Sequence, residues 1–247
     1  KKDKAKSILN RIKAKTKKTS EENIPISIAL GVATKENVEE DIEKVFKKAD
    51  DNMYQNKLSK SKSSKSNIVK GLLNSLSAKS PETKKHTQRM ANLSEKLGKK
   101  LGLSNSELNK LSLLATLHDI GKTTISEKIL NKEDDLTKEE WEIMKEHPET
   151  GYKIASSSKE FVLVAEEILS HHEYWDGSGY PRGLEGEEIP YLARIISIVD
   201  AYDVMTNDRP YSKAISKKKA LEEIKDCAGS QFDPKLVKEF IELQTSD

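Results

Sequence analysis

The stretch LSLLATLHDIGK, residues 111–122, decides how most of this chain is expected to fold. Leucine and alanine recur through its first seven positions with the spacing typical of a helix that buries one face. This apolar pattern runs directly into His118 and Asp119. A charged aspartate beside buried apolar residues is costly unless it pairs with another group or binds a metal ion. The stretch therefore predicts helices that pack around a cluster of polar side chains.

The chain from about residue 68 onward has the same helical character. His86, Met90, Leu93 and Leu97 share one helix face, and Pro148 is expected to end the helix that precedes it. No alternating strand pattern follows residue 70, so the predicted fold class is mainly α. Further helix starts and apolar stripes lie at Ser80–Pro81, Ser104–Ala115, Thr137–Met144, Phe161–Ile168, Leu192–Met205, Ser216–Cys227 and Asp233–Pro234.

The first 56 residues differ from the rest of the chain. Ile24, Ile26 and Ile28 alternate with other residues in a strand pattern that continues into Ala29–Ala33, and a helix pattern follows over Val38–Met53. One strand and two helices are too few to close a core, so this part is predicted to be the end of an α/β domain. A Lys- and Ser-rich linker follows it, with the sequence KLSKSKSSKS at residues 57–66.

The composition of the chain argues against nucleic-acid binding and against a membrane-spanning segment. The net charge is only +2, which gives no global reason to expect binding to polymeric nucleic acid. Residues 1–19 carry eight Lys and one Arg against one Asp, which predicts a solvated helix face more often than an arm for nucleic acid or anionic lipid.

No apolar run is long enough to span a bilayer, and the single Cys227 excludes an intrachain disulfide. We therefore expect a cytoplasmic segment without membrane contact.

All the histidines of the chain fall in its helical part. One histidine alone is more often a core residue bonded to a backbone carbonyl. A set of imidazoles together with carboxylates is instead the ligand mix that iron, manganese or zinc prefers, and a structural zinc site built from several cysteines is excluded. Adjacent ligands on a helix point about 100° apart, so His118 and Asp119 could serve neighbouring metals. The histidines are His86, His118, His147, His171 and His172.

Two motifs carry a family resemblance. HDIGK at 118–122 resembles the motif of the HD superfamily of metal phosphohydrolases, and HHEYWDGSGYP at 171–181 resembles the HD-GYP signature. The similarity extends from about Lys70 to Leu243 and includes DAYDVMTNDRPYSKA at 200–214. It implies an HD-fold helical domain over residues 68–247.

The N-terminal part resembles a different family. ISIALGVA at 26–33 and KKADDNMYQNK at 47–57 are similar to the end of a GGDEF, or diguanylate cyclase, domain. The GGDEF signature itself is absent from this chain, so no cyclase activity is expected. The resemblance divides the chain into a GGDEF-like fragment at 1–56, a linker at 57–67 and an HD-GYP domain at 68–247.

The HD-GYP resemblance implies a metal site with Asp119 as its bridging carboxylate. Glu82 would contribute to a third metal, although an acid in a first helical turn is also favoured by the helix dipole. Lys122 would act as a catalytic cation beside the phosphate, although a basic residue near a helix end is also ordinary. The implied metal ligands are Glu82, His86, His118, Asp119, His147, His171, His172 and Asp200.

The resemblance also implies a substrate site. The loop of Gly179, Tyr180 and Pro181 would shape it, and Arg209 would hold a phosphate. The basic residue that the family usually has three positions after this arginine is replaced by Ser212, so Lys213 would have to take its place.

The expected activity follows from these roles. Two or three ions of iron or manganese would support hydrolysis of cyclic di-GMP to pGpG, to GMP or to both. The alternative is a receptor for cyclic dinucleotides, or a scaffold that binds GGDEF domains, without turnover. The sequence does not separate cyclic di-GMP from cyclic GMP-AMP. GGDEF domains are further expected partners, and a homodimer is compatible with the sequence.

Overall fold

The computed structural model describes residues 4–5, 7–12, 30–35, 37, 40–53, 71, 83–132, 134–208 and 213–245. The chain divides into two compact units. The first contains Lys1–Asn67 and Ser104–Glu107, and the second contains Ile68–Leu103 and Leu108–Asp247.

The first unit contains helical residues at 4–5 and 7–12 and a helix at 42–53, and both helices were predicted. The predicted strand is not confirmed, because residues 30–35 have no regular secondary structure, and residues 24–29 lie outside the described part. Residues 30–35 instead pass against the helix. Asn52 Nδ2 donates to the Val32 carbonyl at 2.9 Å, and a Cβ on Gly31 would lie 1.9 Å from the Ala49 carbonyl oxygen. A strand is stable only when it pairs with another strand, and here the segment contacts the helix instead.

Helices make up most of the described residues from Thr83 onward, and no extended strand occurs among those described residues. Two isolated bridges join Asp176 with Glu185 and Ala228 with Phe232. The α-helices are α1 Thr83–Lys100, α2 Asn105–Leu117, α3 Glu127–Leu130, α4 Lys138–Lys145, α5 His147–Ser156, α6 Ala165–Ser170, α7 Tyr191–Thr206, α8 Lys217–Asp226 and α9 Pro234–Thr245. Short 3-10 helices lie at Ile120–Thr124, Val162–Val164 and Gly186–Glu188.

The predicted helix caps are confirmed where the structure describes them. Thr137 and Glu140 form a reciprocal capping box at the start of α4. The Ser216 side chain accepts from the Lys219 amide at the start of α8, and Asp233 accepts from the Lys235 amide at the start of α9. Ser80 and Pro81 lie outside the described residues.

Two details of the predicted helices were wrong. Helix α2 ends at Leu117, so His118 and Asp119 lie in the turn before a 3-10 helix and not on one continuous helix. Helix α5 was not anticipated, because Pro148 suggested only an end. Proline has no amide hydrogen to lose at the start of a helix, so Pro148 both follows the end of α4 and occupies the first turn of α5.

Helix α7 lies at the centre of the core. Leu192, Ile195, Ile196 and Val199 are among its buried residues, and α1, α6 and α8 pack against it. Helix α5 packs against both α6 and the 3-10 helix at Ile120–Thr124. The last contact is so close that a Cβ on Gly121 would lie 1.9 Å from the His147 carbonyl oxygen. Burial of these apolar faces holds the helix ends that carry the histidines close to one another.

Among the described helices, none combines the length and apolar character needed to cross a membrane.

Candidate metal centre

The five histidine rings form one continuous array. Neighbouring ring centroids lie between 4.1 and 5.6 Å apart, in the order His86, His118, His171, and then His147 and His172. Residues separated by up to 86 positions in sequence are thereby brought together. The predicted convergence of the imidazoles is present in the structure.

Asp119 belongs to two overlapping groups of donor atoms. One group contains Asp119, His147, His171 and His172, and the other contains His86, His118 and Asp119. Within each group the donor atoms lie within 4.8 Å of one another. The described residues therefore form two adjacent sets of donors that share a single carboxylate.

The two oxygens of Asp119 face different imidazoles. Its Oδ1 lies 3.3 Å from His147 Nε2 and 4.0 Å from His171 Nε2. Its Oδ2 lies 3.5 Å from His118 Nε2. A carboxylate in this position can contribute one oxygen to each donor set, which is the arrangement that a pair of metal ions requires.

The ends of three helices orient three of the imidazoles. His118 and His171 directly follow the last residues of α2 and α6, and His147 begins α5 just after α4 ends. Each of the three rings directs Nδ1 at the carbonyl oxygen three residues earlier. The distances from Nδ1 to the carbonyl oxygen are 3.2, 2.7 and 2.6 Å. These carbonyls belong to the last turns of α2, α4 and α6, where helix carbonyls lack an intrahelical partner. A proton on Nδ1 satisfies the carbonyl and leaves the Nε2 lone pair free to face the cluster.

His86 is oriented by a side chain that the sequence analysis missed. Its Nδ1 lies 2.7 Å from Asp203 Oδ2. Arg89 holds the same carboxylate with two contacts, from Nε to Oδ1 at 2.6 Å and from Nη2 to Oδ2 at 2.8 Å. The side chain of Asp203 is only 5% exposed, whereas that of Asp200, the predicted buried carboxylate, is 20% exposed. The sequence held one usable signal, since residues 200 and 203 are three apart and share a helix face.

Asp200 lies beside this array without belonging to either donor set. Its Oδ1 is 3.4 Å from His86 Nε2. Asp200, which lies on α7, therefore faces the cluster next to His86.

Two buried nitrogen atoms of the cluster lack a hydrogen-bond partner among the described residues. They are Nε2 of His86 and Nε2 of His118. A buried polar atom without a partner is costly, and the large majority of such atoms in proteins are satisfied. Both atoms face carboxylate oxygens in a set of nitrogen and oxygen donors. This donor set fits divalent metal ions.

Burial keeps the imidazoles in the form that binds metals. Burial lowers the pKa of His118, His147 and His172, and it lowers the pKa of His171 to about 4. These rings are therefore neutral near pH 7, and neutral imidazole is the ligand form. Burial disfavours the charged form of Asp119, but the positive charge of the Lys122 ammonium outweighs burial and holds the pKa of that carboxyl well below its usual range.

Lys122 is close enough to take part in chemistry at the cluster. Its Nζ lies 2.8 Å from Asp119 Oδ2. The 3-10 helix at Ile120–Thr124 produces this contact, because it places residues three apart on one side.

The loop of Gly179, Tyr180 and Pro181 lies directly against the cluster. The Tyr180 ring stacks on His172 with centroids 5.0 Å apart and an interplanar angle of 19°. Burial raises the pKa of the Tyr180 phenol, which therefore stays protonated. Glycine is required at 179, because a Cβ there would lie 2.2 Å from the Tyr174 amide nitrogen.

Glu173 anchors this loop and was also missed. Its buried carboxylate accepts from the Arg182 amide at 2.8 Å and from the Leu184 amide at 3.0 Å. Both oxygens are used, so the side chain ties the end of the His171–His172 segment to the far side of the loop. Its position directly after two histidines was the only signal in the sequence.

Three further predicted residues are not placed at the cluster. Glu82 and Arg209 lie outside the described residues. Lys213 is exposed in the segment before α8 and is absent from the described lining of the cavity beside the cluster. That cavity has a volume of about 550 Å³ and includes Lys122, His147, His172 and Tyr180 in its lining.

A comparison with protein families identifies the domain that carries the cluster. Residues 71–236 match the model of the HD domain. The chain belongs to the HD domain family. Asp119, which the two donor sets share, and His118 lie within the matched region.

Two curated relatives resemble this HD domain closely. A cyclic di-GMP phosphodiesterase of Thermotoga maritima is 41% identical over 176 residues, which are 70% of this chain and 48% of the relative. A 3'3'-cGAMP-specific phosphodiesterase 2 of Vibrio cholerae is 40% identical over 177 residues, which are 71% of this chain and 34% of the relative. The chain thus spans about half or less of the length of these relatives.

A solved structure shares the fold. Bd1817, an HDG"Y"P protein from Bdellovibrio bacteriovorus, matches with a TM-score of 0.55 at 19% identity, over 85% of this chain and 75% of that chain.

Proposed function

We propose that this HD domain is a metal-dependent phosphodiesterase of the HD-GYP type that hydrolyses cyclic di-GMP to pGpG, to GMP or to both. The observation that carries this proposal is the position of Asp119, whose two oxygens face separate sets of imidazoles. The names of the relatives support a cyclic dinucleotide as substrate. The retained donors favour turnover over the alternative of a receptor or scaffold that only binds.

The metal ions would be two or three divalent ions, and iron and manganese fit the nitrogen and oxygen donors best. When bound, such ions supply Lewis acidity toward a phosphoryl group and activate water at neutral pH. The proposed ligands are the five histidines, with Asp119 between the two sets, Asp200 beside His86, and Glu82 for a third ion.

The residues around the cluster would orient and neutralise the substrate. Lys122 places a positive charge next to the shared carboxylate, where negative charge on the phosphate increases during hydrolysis. Tyr180 closes one side of the cluster by stacking on His172. Arg209 and Lys213 are proposed to hold a second phosphate of the cyclic dinucleotide.

The remaining assignments rest on the sequence resemblance alone. We propose that residues 1–56 are the end of a GGDEF-like domain, that residues 57–67 are a linker and that the HD-GYP domain covers residues 68–247. GGDEF domains as partners, a homodimer and a cytoplasmic location are proposals of the same kind.

Hydrolysis by the purified, metal-reconstituted protein tests the proposed activity. Cyclic di-GMP, cyclic GMP-AMP and cyclic di-AMP are supplied separately, and linear products are separated by chromatography. The unaltered protein should form pGpG or GMP. His118→Ala with Asp119→Ala should abolish product formation, because both donor sets then lose a member.

Two further variants make the outcome interpretable. Asp119→Asn keeps the shape of the side chain and guards against a folding defect, and Lys218→Ala changes an exposed residue of α8 as a control. Product formation by the metal-loaded double variant would refute the mechanism. Tight binding of cyclic di-GMP by the unaltered protein without any product would favour the receptor.

A further inference from the structure

One wall of the cavity beside the cluster is an amphipathic helix that contributes nothing to the core. No residue of α4 is buried, and Trp141 is 47% exposed. Trp141 and Met144 lie on the same face of α4, three residues apart, and both line the cavity. An apolar helix face that is left out of the core is available to a ligand.

This helix is held in place by polar contacts. The capping box of Thr137 and Glu140 begins it, and the Lys132 ammonium lies 2.5 Å from Glu140 Oε2. At its other end the Met144 carbonyl accepts from His147 Nδ1 at 2.7 Å. The residue that lines the cavity therefore also orients a ring of the metal centre, so the wall and the cluster have a defined relative position.

The lining of the cavity combines two kinds of charge. Lys122, His147 and His172 belong to the cluster or contact it. Asp134 and Asp135 lie on the segment that leads into α4, and Lys132 on the same segment is paired with Glu140. Two carboxylates repel phosphates, and a lysine attracts them. A nucleotide in this cavity would place its phosphate at the cluster and its neutral base toward α4.

We infer that this cavity receives one nucleobase of the substrate and that Trp141 is the aromatic side chain on which the base stacks. The inference rests on the proposed function, since it assigns part of the cyclic dinucleotide to a place beside the same cluster. Stacking on an aromatic ring suits any base, because every base has a π face. The volume of about 550 Å³ lies within the range of small-molecule sites.

The contribution of Trp141 to substrate recognition can be separated from its contribution to chemistry. Trp141→Ala and Trp141→Phe are compared with the unaltered protein on cyclic di-GMP and on glycerophosphoglycerol, a phosphodiester without any aromatic ring. Trp141→Ala should lower kcat/KM for cyclic di-GMP by roughly 5- to 100-fold, mainly through KM, and Trp141→Phe should recover most of the loss. Activity on the simple diester should change less than twofold.

A matched control lies on the same helix. Ile143 is 42% exposed and does not line the cavity, so Ile143→Ala should leave both activities unchanged. An equal loss on both substrates in Trp141→Ala, or no loss on either, would overturn the inference.

Fluorescence gives a second test that does not depend on turnover. The chain has two tryptophans, Trp141 and Trp175, and Trp175 is engaged by the Arg194 guanidinium at 5.6 Å from its ring centroid. A non-hydrolysable phosphorothioate analogue of cyclic di-GMP is titrated into Trp175→Phe and into Trp141→Phe. Quenching should occur in Trp175→Phe, where Trp141 is the remaining indole, and should be absent in Trp141→Phe.

The two tests distinguish failure of this inference from failure of the proposed function. If the unaltered protein hydrolyses no cyclic dinucleotide but Trp175→Phe is quenched, the base site stands and the catalytic proposal falls. If hydrolysis is normal and Trp175→Phe is not quenched, the catalytic proposal stands and Trp141 has no role in binding the base.

Discussion

Asp203 Oδ2 lies 2.7 Å from His86 Nδ1, and these two buried residues are 117 positions apart in the sequence. Burial disfavours the charge on Asp203, but the hydrogen bonds from Arg89 and His86 outweigh burial and lower the pKa of the carboxyl. An ionised carboxylate only accepts hydrogen bonds, so His86 donates from Nδ1 to Asp203 and directs Nε2 toward the cluster. Carboxylates in this position behind a metal-binding histidine fix the orientation of its ring.

We therefore predict that Asp203→Ala weakens metal binding without removing a ligand. The affinity for Mn²⁺ should fall by roughly 10- to 100-fold, because the His86 ring loses the group that orients it. Isothermal titration of the metal-free protein measures this change. Asp203→Asn should have a smaller effect, since its amide oxygen can still accept from His86, and unchanged Mn²⁺ affinity in Asp203→Ala would show that Asp203 only stabilises the fold.

Metal binding should also stabilise the folded protein. The donors of the cluster converge only in the fold, so an ion bound there favours the native state. At a free concentration of 100 times Kd, the gain in the free energy of unfolding is about 2.7 kcal/mol. Thermal unfolding of chelator-treated protein, with and without added Mn²⁺, measures this gain as a rise in Tm. The rise should be smaller in Asp119→Asn, and an equal rise in that variant would place the ion elsewhere.

Lys122 is predicted to act on turnover more than on metal binding. Lys122→Met keeps the length of the side chain but removes the charge beside Asp119 Oδ2. Loss of one such charge is expected to reduce kcat by roughly 100- to 1000-fold, while the bound metal is retained. Lys122→Arg should keep part of the activity. Lys128→Met, an exposed change on α3, is the control, and full activity in Lys122→Met would rule out the catalytic role.

Glu173 is predicted to control the order of the loop beside His172. In Glu173→Ala the amides of Arg182 and Leu184 lose their acceptor, which costs about 1–3 kcal/mol if they stay buried. Hydrogen exchange at these two amides should therefore become faster, and hydrolysis should slow while the metal content is unchanged. Glu187→Gln alters an exposed acid in the following 3-10 helix as a control. Unchanged protection of both amides would mean that other contacts hold the loop.

The local features of the fold were predictable from particular residues. Thr137 and Glu140 indicate the start of α4, and Asp233 indicates the start of α9. These starts are predictable because a capping side chain lies within a few residues of the amide to which it hydrogen-bonds. The end of α2 was less predictable. His118 still donates its amide to the Leu114 carbonyl at 2.8 Å, yet the chain turns at Asp119, where Gly121 passes directly against the start of α5.

The sequence by itself determined which residues could form the metal centre, since the histidines, Asp119 and Lys122 stand in motifs whose chemistry can be recognised without coordinates. It also determined the helical character of the second unit, because helix periodicity and capping act over one or two turns. Only the tertiary structure decided that Asp203 holds His86, that Glu173 holds the loop and that Trp141 faces the cavity and not the core. Each of these depends on contacts between groups nine or more positions apart in sequence, beyond the one or two turns over which periodicity and capping act. Such contacts form only when apolar helix faces are buried together.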